Sequence, residues 1–163
     1  MAELTTAQVW EQINSQMFAV IGMVSAQGQG RTAGVVYTTH GGRLYFSTYD
    51  SEWKARHIAA NAAVSVTIPI AKRIPFVPWV KIPPATITFP AIARILPLAE
   101  LAAEAREPLV HGLEFGDGSR GELIAVEITP QGDYVTYGVG VSLREMRDTE
   151  AARGRAPVAG NTV

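Results

Sequence analysis

Apolar residues recur along this chain in two rhythms. Val9, Trp10, Ile13 and Met17 return at helical spacing, and Thr5 and Gln8 ahead of them stand at the spacing of a capping box. Together they predict an amphipathic helix over 6–15. Residues 17–26 (MFAVIGMVSA) read as a buried first strand, closed by the turn Gln27-Gly28-Gln29-Gly30. Residues 31–39 form a second strand, and His40-Gly41-Gly42-Arg43 a second hairpin turn. Along that second strand Arg31, Ala33, Val35 and Tyr37 share one face, and Thr32, Gly34, Val36 and Thr38 the other.

Leu44, Tyr45 and Phe46 open a third strand, followed by the polar run Ser47-Thr48-Tyr49-Asp50-Ser51. Asp50 or Ser51 suits the N-cap of a short helix whose apolar face is Ala55, Ile58, Ala59 and Ala62. Residues 63–70 are a fourth strand. Four prolines, Pro75, Pro78, Pro83 and Pro84, exclude a central strand from 71–84 and predict a stiff loop carrying Phe76, Val77, Trp79 and Val80. That apolar cluster is expected to pack on a second subunit. Residues 85–97 are a fifth strand, with Pro90 marking a bulge or an edge. A helix is expected from 98 to about 106 and a loop over 112–121, then a final hairpin of 122–129 and 133–142 around Pro130-Gln131-Gly132.

Successive hairpins with helices between them predict a mainly β fold, a small closed or nearly closed antiparallel barrel. At 163 residues the chain is read as one domain over 1–147, with a mobile tail over 148–163. A net charge of −1 points away from nucleic acid and acidic membranes as partners, and the absence of cysteine excludes disulfides and thiol chemistry. The start MAELTT lacks the features of a signal peptide. The apolar stretch from Ile68 to Leu98 is interrupted by Lys72, Arg73, Lys81, Arg94 and several prolines, short of the ~18 uninterrupted apolar residues of a membrane span. A cytoplasmic protein is the expectation. His40, His57 and His111 show no zinc spacing, so no metal site is expected. No G-x-S-x-G elbow occurs, and Gly28-x-Gly30-x-x-x-Gly34 joins two strands where a dinucleotide loop would join a strand to a helix.

The stretch Leu44–Val66 holds the chemistry. Lys54 falls in the first turn of the short helix, where free N–H groups and the dipole favour an anion. Hydroxyls of Ser47, Thr48 and Ser51 could converge there on a phosphate.

The order of these residues resembles the flavin-binding core of the pyridoxamine 5′-phosphate oxidase-like split-barrel family. The matching elements are Arg31 opening a strand, Phe46-Ser47-Thr48, then Ser51-x-x-Lys54, Asn61 and Val64-Ser65-Val66. The resemblance covers Arg31 to Pro69. It implies a split β-barrel of six to seven antiparallel strands and a homodimer with the cofactor at the subunit interface. It also implies an FMN-binding oxidoreductase acting on a small molecule by hydride transfer. FMN would be held by Arg31, Thr32, Gly34, Val35, Ser47, Thr48, Ser51 and Lys54, the strand 31–38 lying along the ring. Tyr37, Trp79 and Lys81 are assigned to the substrate side, and no catalytic residue is named. The family also has deazaflavin (F-420) reductases, for whose acidic tail Lys72, Arg73 and Lys81 are candidates, and haem-binding members, so a non-catalytic flavin or haem carrier is the rival reading. Three departures separate the chain from true pyridoxamine phosphate oxidases. Val35-Val36-Tyr37 stands where they carry a substrate-binding Lys, Trp53 stands where a basic residue usually precedes the helix Lys, and their C-terminal Trp and Arg-x-His signature is missing. Pyridoxamine phosphate is therefore not the expected substrate.

Overall fold

The computed structural model describes residues 2–72, 79, 82–111 and 120–158. In chain order the elements are β1 (Ala2–Glu3), α1 (Thr6–Ser15), β2 (Phe18–Val24), β3 (Gly30–Val36), β4 (Thr38–His40) and β5 (Arg43–Tyr49). Then come α2 (Trp53–Ala60), β6 (Ala63–Ile70), β7 (Ala85–Pro97), α3 (Ala103–Val110), β8 (Leu123–Pro130), β9 (Asp133–Tyr137), α4 (Thr149–Ala152) and β10 (Arg153–Pro157). The fold is mainly β, as expected. The expected α1, β6 and β7 have the observed bounds. The helix expected over 98–106 is instead a single 3-10 turn, Leu98–Glu100, and then α3.

The strands form one curled sheet. Its path runs β1-β10-β9-β7-β6-β2-β3, and β8 bridges β7 to β5, which in turn holds β4. Every pairing is antiparallel except β1 with β10. The sheet branches at β7. One edge of this strand faces β6 along Ala85–Ile92; the other faces β9 over Thr86–Thr88 and then β8 over Ala91–Pro97. Pro90 sits where the partner changes. Its C=O accepts from Gln131 N–H at 2.8 Å. A strand residue's N–H and C=O point to the same side, so the missing N–H of Pro90 falls in the gap between β9 and β8 and costs the β6 ladder nothing. The residue marks a gap between two partners within an inner strand, neither a bulge nor an edge.

The core lies inside the curl. Ala19, Ile21 and Met23 of β2, Leu44 and Phe46 of β5, Val64, Val66 and Ile68 of β6, and Ile87 and Phe89 of β7 all face it. Burying a side chain such as Phe89 stabilises the fold by about 1.5–3 kcal/mol. The capping box on α1 forms as its spacing predicts: Gln8 N–H donates to Thr5 Oγ1 at 3.2 Å, and Thr5 N–H to Gln8 Oε1 at 2.9 Å. Val9 and Ile13 of that helix are fully buried in the same core. A second, smaller core lies on the opposite face of β5, β7 and β8. There Leu101, Ala105 and Leu109, from α3 and the turn before it, cover Tyr45, Leu96 and Ala125.

Residues 148–158, expected to trail from the barrel, are built into it instead. Asp148 caps α4 through Glu150 and Ala151 N–H, and β10 pairs with β9 from Arg153↔Tyr137 to Pro157↔Asp133. Ala152 and Ala156 are fully buried. The alternation Gly154-x-Ala156 is too small and too short to stand out as a strand in sequence. The final strand expected over 133–142 ends at Tyr137, because Gly138 and Gly140 both adopt φ of 71°.

Candidate functional site

The site is an open seam between β3 and β5. β4 pairs with β5 through Thr38↔Tyr45, Thr39↔Leu44 and His40↔Arg43, and one residue, Tyr37, separates β4 from β3. Continued along both strands, this register would set Val36 opposite Ser47 and Thr32 opposite Ser51. Those pairs are not made; among the described residues β3 pairs with β2 alone, and beyond Tyr45 the ladders of β5 run to β8. The two strands diverge and leave main-chain groups along the split without strand partners. Arg31, Thr32, Gly34 and Val35 lie on β3, Ser47 and Thr48 on β5, Ser51 in the turn that follows and Lys54 on α2.

Their side chains are less convergent than their order in sequence suggests. β5 alternates: Phe46 and Thr48 are buried on the barrel side, while Tyr45 and Ser47 face α3, and Ser47 Oγ donates to Leu109 C=O at 3.4 Å. The hydroxyls of Ser47 and Thr48 thus lie on opposite faces of one strand. Val35 is buried in the core, Arg31 and Thr32 are exposed, and Gly34 lies between. An added Cβ at Gly34 would come within 2.8 Å of the Phe18 ring, which leans diagonally across from its register partner Val36. That glycine leaves room for an aromatic ring of the same sheet, and the β2–β3 register runs unbroken past it.

Lys54 is the second residue of α2. Its Nζ lies 3.6 Å from Glu52 Oε2 and 5.5 Å from the centre of the Trp53 ring, and the side chain is 22% exposed. The expected N-cap, Asp50 or Ser51, is corrected: Glu52 holds the cap position and makes no side-chain capping bond. Asp50 is committed elsewhere, its Oδ1 accepting from Glu122 N–H at 3.0 Å, and Ser51 Oγ donates to the Arg120 C=O. Both residues therefore bind the β8 approach onto the end of β5 and leave the first N–H groups of α2 without a side-chain cap. These are the donors an anion takes.

On the substrate side, Tyr37 is a correction. It is buried, and its hydroxyl donates to Ile13 C=O at 2.7 Å, so it ties α1 to the sheet and does not face a ligand. Burial raises its pKa well above the usual tyrosine range. Trp79 is 76% exposed. Lys81, like Arg73, Phe76, Val77 and Val80, lies outside the described residues.

One polar cluster was not anticipated. Glu127, nearly buried on the outer face of β8, accepts from Arg43 Nη1 at 3.4 Å, from Arg94 Nε at 3.2 Å and from Tyr45 Oη at 3.1 Å. A glutamate within the apolar run Leu123–Ile128 was the signal available in sequence. Its partners come from β5 and β7, far away along the chain. Desolvation, and then the carboxylate itself, raise the Tyr45 pKa. Among the described residues no group of three or more His, Cys, Asp or Glu is placed to hold a metal ion, and no helix is long and apolar enough to cross a membrane.

Neither a family model nor a curated protein matches this sequence. Solved structures do match its shape. The haem storage protein HutZ from Vibrio cholerae superposes with a TM-score of 0.59 at 15% identity, over 83% of this chain and 96% of that one. An FAD-binding protein from Mesorhizobium loti gives 0.57 at 14% identity, over 78% and 88%. A putative pyridoxamine 5′-phosphate oxidase from Listeria innocua gives 0.55 at 13%, over 76% and 91%. The diverging β3 and β5, the branched β7 and these shared shapes agree: the chain has the split β-barrel fold of the pyridoxamine 5′-phosphate oxidase-like proteins.

Proposed function

We propose that this protein is a cytoplasmic flavin-type oxidoreductase that holds FMN along the β3–β5 seam and passes hydride to or from a small substrate other than pyridoxamine phosphate. One observation carries the reading: Lys54 stands in the first turn of a helix with no side-chain cap, beside a split in the sheet. The residues present fit the group. A phosphate dianion needs a cation and several donors to leave water, and Lys54, the free N–H groups of α2 and the exposed Arg31 supply them. Glu52 opposes the anion, but at 42% side-chain exposure it can turn outward when phosphate takes its place on Lys54. Ser51 would release the Arg120 carbonyl to donate. Main-chain groups of Thr32, Gly34 and Val35 would border the ring, with Thr48 and Ser47 serving from either face of β5, and Trp79 would stand on the substrate side. The bound flavin supplies the hydride chemistry; the chain binds it, orients it and limits its contact with water. The FAD-binding structure of the same fold supports a flavin.

We also propose that a second copy of the chain closes the seam. The outward face of β2, β3 and β6 carries Phe18, Val20, Val24, Thr32, Val36, Ser65 and Thr67, with no charged residue among them. Phe18 is 44% and Val36 66% exposed. The apolar cluster around Trp79, first assigned to that role, lies outside the described residues except for Trp79 itself.

The test is titration of FMN, riboflavin and coenzyme F-420 into the wild type and Lys54→Ala. One charge-assisted hydrogen bond is worth ~1.5–3 kcal/mol, so the variant should bind FMN roughly 10- to 150-fold more weakly. Riboflavin, which has no phosphate, should be indifferent. Equal losses for FMN and riboflavin would remove Lys54 from the phosphate site. Tight F-420 binding with none for FMN would replace the cofactor, and a Soret band from purified protein would favour the haem carrier.

A further inference from the structure

A cavity lined by described residues lies away from the seam. It lies at the other end of β5, about 20 Å away at ~3.4 Å per residue. It occupies about 380 Å3 between the Gly41–Gly42 turn and the Gln131–Gly132 turn, walled by Trp10, Pro130, Tyr134 and Val158, with Arg43 at its rim. Such a volume falls within the usual range for small-molecule sites.

Two polar groups there are unspent. Tyr134 is fully buried, and its hydroxyl has no hydrogen-bond partner among the described residues. Its ring is fixed by edge-on contacts with Trp10 at 6.4 Å and Phe89 at 5.1 Å between centroids, so the hydroxyl cannot swing to water. Burial pushes its pKa up to about 12, partly offset by the nearby Trp10 indole, whose geometry nevertheless falls short of a hydrogen bond. A buried hydroxyl without a partner is uncommon enough to need an explanation. Arg43 is the second group. It shares Glu127 with Arg94, so two guanidinium charges meet one carboxylate, and Nη1 alone of its nitrogens donates there. The rest of the fork, at 42% side-chain exposure, remains for another anion.

We propose that this cavity is a second binding site, separate from the seam, for a small aromatic carboxylate. Arg43 takes the carboxylate, Trp10, Pro130 and Val158 enclose the ring, and a ring hydroxyl of the ligand reaches the Tyr134 hydroxyl once the half-buried Trp10 side chain turns aside. Among the described residues nothing lies within 4 Å of a Cβ placed at Gly41 or Gly42, with φ of 56° and 73°, on the rim of the cavity.

The probes are benzoate and its uncharged analogue benzamide, titrated by calorimetry into the full chain. Benzoate should bind with a Kd of about 1 mM or tighter, and benzamide at least about tenfold more weakly. Arg43→Gln should weaken benzoate about tenfold, leaving Glu127 its bonds to Arg94 and Tyr45. Tyr134→Phe should leave benzoate, whose only polar group is its carboxylate, unchanged, and should weaken 4-hydroxybenzoate, the third probe, severalfold without lowering Tm, since it removes a hydroxyl that has no partner to lose. Lys54→Ala should leave benzoate binding unchanged, which keeps this site distinct from the flavin reading. The proposal is overturned if benzoate does not bind at ~10 mM. It is equally overturned if Lys54→Ala abolishes binding while Arg43→Gln spares it. A Tyr134→Phe variant that loses Tm and binds 4-hydroxybenzoate as tightly as the wild type would assign the hydroxyl to an internal water, and would also overturn it.

Discussion

Gly121 shows how one residue sets the end of β5. It adopts φ of 91°, and a Cβ there would lie 2.1 Å from Asp50 Oδ1. The carboxylate is held against it by Glu122 N–H, while Asp50 N–H donates to Glu122 C=O at 3.0 Å. Gly121→Ala meets both a left-handed backbone and a fixed neighbour, so about 2–4 kcal/mol of stability should be lost. Chemical denaturation reads this directly; a change under about 0.5 kcal/mol would mean the Asp50 bridge does not hold. Lys54 was legible in sequence because its position in a helix turn is local. The roles of Asp50 and Ser51 were not. Both are good capping residues by type, yet each binds a segment some seventy residues onward, and no local rule favours that over a cap.

At the scale of elements, periodicity located α1, β6 and β7 to the residue, since each shows a full apolar rhythm against one core. It placed β8 within one residue, although burial on both faces removes the alternation there, and it failed for β10, whose inward residues are Gly154 and Ala156. The seam was invisible for another reason. A split is a pairing that does not occur, and residues 31–36 and 46–49 read as ordinary strands. β10 offers a test of the element. Deleting residues 149–163 strips β9 of its outer neighbour and exposes the surface that Ala152 and Ala156 cover. The truncated chain should show a clearly lower Tm and aggregate through the bared edge of β9. An unchanged melting curve would return the segment to the status of a tail.

For the whole molecule, the outward sheet face is the open question of assembly. Its uncharged stripe over β2, β3 and β6 predicts a dimer at micromolar concentration in sedimentation velocity. Val36→Asp should dissociate it: the residue is 66% exposed, so the single chain accommodates the charge, whereas a dimer interface would bury it unpaired. The variant should also lose FMN affinity if the second copy completes the seam. A wild-type monomer, or a Val36→Asp dimer as tight as the wild type, would discard this face as the interface.

β5 follows β4 by a two-residue turn, yet its long ladder is with β8, Leu44↔Ile128 through Tyr49↔Leu123. On a ribosome the chain emerges from its N-terminus, so β2, β3, β6 and β7 can zip together while β5 still lacks its long neighbour. β5 must wait for residue 130 or so to clear the exit tunnel. The seam it borders is therefore among the last features to take shape during synthesis. A nascent chain arrested before β8 would have Arg31, Ser51 and Lys54 already made but not yet arranged. Under the proposed flavin reading, cofactor loading is then a late event, and flavin supplied to such arrested chains should find nothing to bind.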